Sequence, residues 1–89
     1  MKSYLVAFDL KQPRSDYPVL TEAIKNFPVH WSDFPSIVIV KTHWSAKEVR
    51  DHFKRHIGNT DALLVAELAG EGAWAGLDDE AVHWLIENL

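Results

Sequence analysis

Apolar and polar positions alternate in period along this chain, and the period predicts the elements. Tyr4 to Leu10 is dense in β-branched and aromatic residues and reads as a first strand. Pro13 breaks the loop that follows. Over Tyr17 to Phe27 the period becomes helical, with Leu20, Ile24 and Phe27 on one stripe. Pro18 suits the opening turn, Asp16 is placed to cap it, and Pro28 ends it. Val29 to Trp31 is a short strand or bulge, and Asp33-Phe34-Pro35 is a turn. Ser36 to Thr42 is the strongest strand, because Ile37-Val38-Ile39-Val40 is apolar on both faces, as in a central strand covered on each side.

Ser45-Ala46-Lys47-Glu48 has the form of a capping box and opens a second helix running to Ile57, with Val49, Phe53 and Ile57 inward. Gly58 is the expected left-handed residue beyond its end. Ala62 to Leu68 is another nearly all-apolar strand. Ala73 to Leu77 is read as a short last strand. Asp78 then caps a third helix through Asn88, with Val82, Leu85, Ile86 and Leu89 as its buried face.

The order strand, helix, short strand, strand, helix, strand is the split β-α-β pattern of an α+β, ferredoxin-like β-α-β-β-α-β sandwich, followed by a short strand and helix. The core covers about residues 3–70 and the C-terminal extension residues 71–89, in one domain. Right-handed crossovers place the two main helices on one sheet face. The other face needs a cover, either the tail helix or a second subunit. The expected form is a homodimer with sheets facing each other and Trp74 and Trp84 in the contact.

Composition narrows the function. The 89 residues contain no cysteine, which removes disulfides and cysteine-ligated zinc and fits a cytoplasmic protein. No run approaches the roughly 18–20 apolar residues of a membrane span. The N-terminal apolar run stops at Asp9 without a small-residue cleavage site, so it reads as a strand. The net charge of −4 is unevenly spread. All nine Lys and Arg and six acids fall in residues 1–60, for +3, and the other seven acids fall in residues 61–89, for −7. A polyanion would approach the first two thirds and avoid the tail.

Asp9, at the tip of the first strand, is the candidate catalytic carboxylate and metal ligand. One carboxylate is a poor site, but two symmetry-related copies could share Mg²⁺ with water and phosphate. The alternative role is to accept N–H groups of its own loop. His52 and His56, four apart, have metal-ligand spacing but no third ligand, and Arg50, Lys54 and Arg55 surround them with positive charge. That segment is a basic helix face, able to meet phosphates or to pair locally. Lys11 and Arg14 are the cations nearest Asp9. The four tryptophans could stack bases, although core or interface packing is the commoner use.

On Val6-Ala7-Phe8-Asp9, Ser36-Ile37-Val38, the capped helix and the strand at 62–68, the chain resembles the second CRISPR-associated protein family (Cas-two) and its VapD-like relatives, especially short members labelled as SinR-family proteins. The resemblance spans about residues 3–70. It implies a ferredoxin-like homodimer acting on or near nucleic acid, in some members as a metal-dependent endonuclease or ribonuclease. It also implies that Asp9 corresponds to the proposed Mg²⁺ ligand. The basic segment usual after that acid is reduced here to Lys11 and Arg14, and the tail from Asp78 lies outside the pattern. A second expectation is a noncatalytic module whose acidic tail and sheet surface bind a protein. A small-ligand sensor is a third.

Overall fold

The computed structural model describes all 89 residues. β1 (Lys2–Asp9) is one of the two interior strands of the sheet, hydrogen-bonded on both sides. After it come α1 (Pro18–Lys25), β2 (Val29–Trp31), β3 (Ile37–Thr42), α2 (Ala46–Lys54), β4 (Ala62–Glu67) and α3 (Asp79–Asn88), giving a mixed α+β domain with three α-helices. The four strands lie in the order β2-β3-β1-β4, and every neighbouring pair is antiparallel. Val6 faces Val38 on one side and Val65 on the other.

Alternation along β1 divides two cores. Tyr4, Val6 and Phe8 point to one face, where they meet Leu20, Ala23 and Ile24 of α1, Phe27, Val38 and Val40 of β3, and Val49 and Phe53 of α2. Phe53 packs edge-on against Phe8, with ring centroids 5.8 Å apart. Both main helices therefore cover the same face. The other face carries a smaller core, in which Trp31 and Ile39 meet Ala81 and Leu85 of α3. The Ser3 hydroxyl donates to the Asn88 carbonyl at 2.6 Å and pins the end of α3 to the sheet.

The caps act as their residue types dictate. The Ser45 Oγ accepts from the Glu48 amide at 3.2 Å, and the Glu48 carboxylate accepts from the Ser45 amide at 3.0 Å. Asp78 accepts from the Ala81 amide at 2.8 Å. Pro18 stands in the first turn of α1.

Several expectations are corrected. Asp16 does not cap α1: residues 14–16 curl into a 3₁₀ turn, and Tyr17 takes the cap position without a side-chain bond. α2 ends at Lys54 rather than Ile57, and Gly58 lacks a positive φ, because the amides of His56 and Ile57 fold back onto Phe53 and Lys54 and a tight turn to Asp61 follows. Residues 73–77 form no strand, since no sheet edge lies beside them. On α3 the buried positions are Ala81 and Leu85, while Ile86 is 67% exposed. Ala81 and Leu85 share the helix face that meets Trp31 and Ile39, and Ile86 falls on the far side of it. The apolar run of β4, an edge strand, is covered on one face only: Leu63 and Val65 pack on the larger core, while Ala62, Leu64 and Ala66 are exposed. Phe27 and Pro28 lie beyond α1, which ends at Lys25, although Phe27 is still buried.

Phe53, fully buried, and Ile86, exposed, give contrasting predictions. Phe53→Ala lowers unfolding free energy by about 3–5 kcal/mol. Ile86→Ala changes it by less than about 0.5 kcal/mol. Urea titration followed by tryptophan fluorescence measures both, and equal losses would contradict the placement of these two residues.

Candidate nucleic-acid interface

One end of the sheet brings together Asp9, Lys11 and Arg14. Asp9 closes β1 opposite Ala62, the first residue of β4. The loop that leaves α2 at Arg55 returns to the sheet at that point. Its anchor is Asp61, which accepts from the Lys11 amide at 2.9 Å, the Gly58 amide at 2.7 Å and the Tyr17 hydroxyl at 3.0 Å. The backbone amides of Lys11 and Gly58 hold the Asp61 carboxyl below its ordinary pKa. The Tyr17 hydroxyl is pushed up, first by desolvation and then by its bond to Asp61. Asp61 thus ties the loop after β1 to the loop after α2, and it fixes where Lys11 sits relative to Asp9. Sequence reasoning missed it. The available signal was an aspartate three residues after a glycine in a polar turn, where Asp commonly folds back on nearby amides.

Asp9 itself is exposed and makes no hydrogen bond or ion pair within the chain. The expected bonds from its own loop do not form. It borders a shallow depression shared with Gln12, Arg14 and Ser36. No cluster of three or more His, Asp or Glu capable of holding a metal ion is assembled around it or elsewhere.

The five candidate cations divide. The Arg14 guanidinium donates to the carbonyls of Phe34 and Ser32, both at 3.2 Å, and clamps the β2–β3 loop. Partial burial draws its pKa down from the ordinary arginine value. Arg50 is held by the adjacent Asp51 at 2.8 Å, and that pairing lowers the Asp51 pKa. Lys11, Lys54 and Arg55 have no ion-pair partner. Beside Arg55 lies an open depression lined also by Trp44, Glu48, Asp51 and His52. Trp44 is 38% exposed and stands edge-on to His52, with centroids 5.2 Å apart. Burial, then His56 and Arg55, push the His52 pKa down. His52 and His56 lie with their rings perpendicular, in an aromatic cluster rather than a ligand pair.

The other two tryptophans of interest lie across the sheet. Trp84 packs beside the smaller core and lines a depression of about 570 Å³ with His30, Asp33, Asp78 and Glu80. Trp74, 37% exposed, borders an apolar groove of about 380 Å³ floored by Leu5, Ile37 and Ile39.

Asp61→Asn destabilises the fold at neutral pH, because the native state holds the carboxylate with a lowered pKa. That contribution is present above the ordinary carboxylate range and fades as pH falls through the lowered folded value. Thermal melts of wild type and variant should converge in acid. A difference that stays constant down to pH 2 would contradict the anchor.

No protein-family model matches this chain, and no solved structure matches it.

Proposed function

We propose that this protein is a ferredoxin-like, homodimeric nucleic-acid-binding domain of the Cas-two/VapD-like kind. The strand order β2-β3-β1-β4, with antiparallel neighbours and two helices on one face, supports the ferredoxin-like reading. The observation that carries the binding reading is the grouping of unpaired cations with exposed rings. Arg55, at the end of α2, lines an open depression with Trp44 and His52 and with the carboxylates of Glu48 and Asp51; Lys54 is exposed on the last turn of α2, and Lys11 is fixed near the same end of the sheet by Asp61. Cations without internal partners are free to replace counterions on a phosphate chain, and an exposed tryptophan offers a base a stacking surface. The six acids of residues 67–89 repel a polyanion from the tail, whereas Asp61 lies at the cationic end and is engaged by the Lys11 and Gly58 amides.

The metal-dependent nuclease that the resemblance implies would need a second carboxylate from another copy, because one chain offers Asp9 alone. The homodimer is supported by the strip of sheet that α3 leaves open. Leu5, Ala7 and Ile37 are half-buried there, and Leu64 is 60% exposed. The expected contacts of Trp74 and Trp84 belong to the same proposal, with Trp74 bordering that strip.

The acidic depression at Asp33, Asp78 and Glu80 favours a second reading, a noncatalytic module that takes a basic segment of a partner protein. Salt separates the two readings by ligand. Binding of fluorescent single-stranded RNA or DNA should weaken steeply as salt rises, and Lys54→Ala/Arg55→Ala should lower both the affinity and the salt slope, the slope by roughly one per lost phosphate contact. Absence of salt-dependent binding to either polymer would remove the nucleic-acid reading. Cleavage that needs Mg²⁺ and disappears in Asp9→Ala would establish the hydrolytic form instead.

A further inference from the structure

We infer that two copies of this chain join edge to edge through β4, in antiparallel register about a two-fold axis at Leu64, making one continuous eight-stranded sheet. The inference rests on the homodimer proposed above, and it moves the contact from the open sheet face and Trp74 and Trp84 to the edge of β4.

The two sheet edges differ in kind. β2 is only three residues long, and Arg14 clamps the loop that follows it. β4 has six residues, without proline, lysine or arginine and without a covering segment, and its one charged residue, Glu67, stands at its end. The Leu68 amide donates to the Ser3 carbonyl at 2.8 Å, so alternation turns the backbone groups of Ala66, Leu64 and Ala62 toward β1. Those of Leu63, Val65 and Glu67 then point outward without partners.

The side chains point to a second copy rather than an unrelated strand. Ala62-Leu63-Leu64-Val65-Ala66 is close to a palindrome in size. A two-fold at Leu64 sets Ala against Ala, Leu63 against the partner's Val65, and Leu64 against the partner's Leu64. Leu63 and Val65 then exchange four backbone hydrogen bonds with the partner. Leu64, 60% exposed, is covered in the non-hydrogen-bonded position, where opposing side chains come closest. The acids flanking the run are engaged within their own chain: Glu67 meets Lys2 at 3.7 Å, and Asp61 is turned back to Lys11 and Gly58.

Two consequences follow. The axis stands across the sheet, so both α2 helices lie on the same side of it, and their free cations share one surface. The two Asp9 carboxylates lie three strand spacings apart and on opposite sides of the axis along the strands, a separation of about 20 Å. They cannot share one ion in this dimer.

The test uses the absence of native cysteine. Sedimentation of the intact 10.2 kDa chain at micromolar concentration should give a dimer. Leu64→Cys should cross-link rapidly on mild oxidation, and Val19→Cys, exposed on α1, should not. Leu64→Lys should weaken dimerisation at least about tenfold with an unchanged circular-dichroism spectrum. A wild-type monomer overturns both this inference and the proposed homodimer. A dimer that persists in Leu64→Lys, with no cross-link from Leu64→Cys, overturns the β4 contact alone and leaves the homodimer to another face. Loss of nucleic-acid binding with cross-linking intact touches only the binding reading.

Discussion

A four-stranded sheet has two faces and two edges, and 89 residues must cover as much of them as they can. β1 sets the terms. It is bonded to β3 through its even-numbered residues and to β4 through its odd-numbered ones, so its register fixes both neighbours. Because Tyr4, Val6 and Phe8 face the helices, Ser3, Leu5, Ala7 and Asp9 must face the other way. The larger core, the seat of α3 and the exposure of Asp9 all follow from that one alternation. A one-residue slip would put Asp9 into the aromatic core.

Cover is the scarce quantity. α1 and α2 close one face completely enough to bury Val6, Val38, Val40, Val49 and Phe53 to zero exposure. α3 is ten residues, about 15 Å long; it covers the β2–β3 half of the other face and meets β1 at Ser3, but it leaves Ala62, Leu64 and Ala66 of β4 exposed. The chain therefore leaves the β4 side open both at its face and at its edge. The charge pattern runs alongside: free cations lie at the end of α2 on the helix side, and the acids gather in the tail. A surface for polyanions and a surface for self-association thus lie on different parts of the same strand-helix unit, α2–β4.

Much of this was legible in the sequence. The capping box at Ser45 and Glu48, the cap at Asp78 and the proline opening α1 are local chemistry, and local chemistry is written in adjacent residues. The need for a cover on the second face was legible in the doubly apolar run at 37–40. Position within the sheet was not. Ala62 to Leu68 reads like a buried strand, and only pairing partners distant in sequence reveal an edge. The orientation of α3 differs at Ile86 because Ala81 and Leu85, four apart on one face, are the residues that enter the core with Trp31 and Ile39. Asp61 escaped notice for a related reason: two of its three partners, Lys11 and Tyr17, lie more than forty residues away. The candidate cations looked equivalent in the sequence. Their division into engaged Arg14 and Arg50 and free Lys11, Lys54 and Arg55 depends on loop carbonyls and a neighbouring acid that the fold positions.

The open β4 edge is the claim on which the rest of this account turns, and amide hydrogen exchange along that strand reads it residue by residue. At high dilution the amides of Leu64 and Ala66, bonded to β1, should exchange slowly, while those of Leu63, Val65 and Glu67 exchange fast. As concentration rises, Leu63 and Val65 should become protected and Glu67 should not. Uniform protection along β4 in the dilute protein, or fast exchange at Leu63 and Val65 at every concentration, would contradict it.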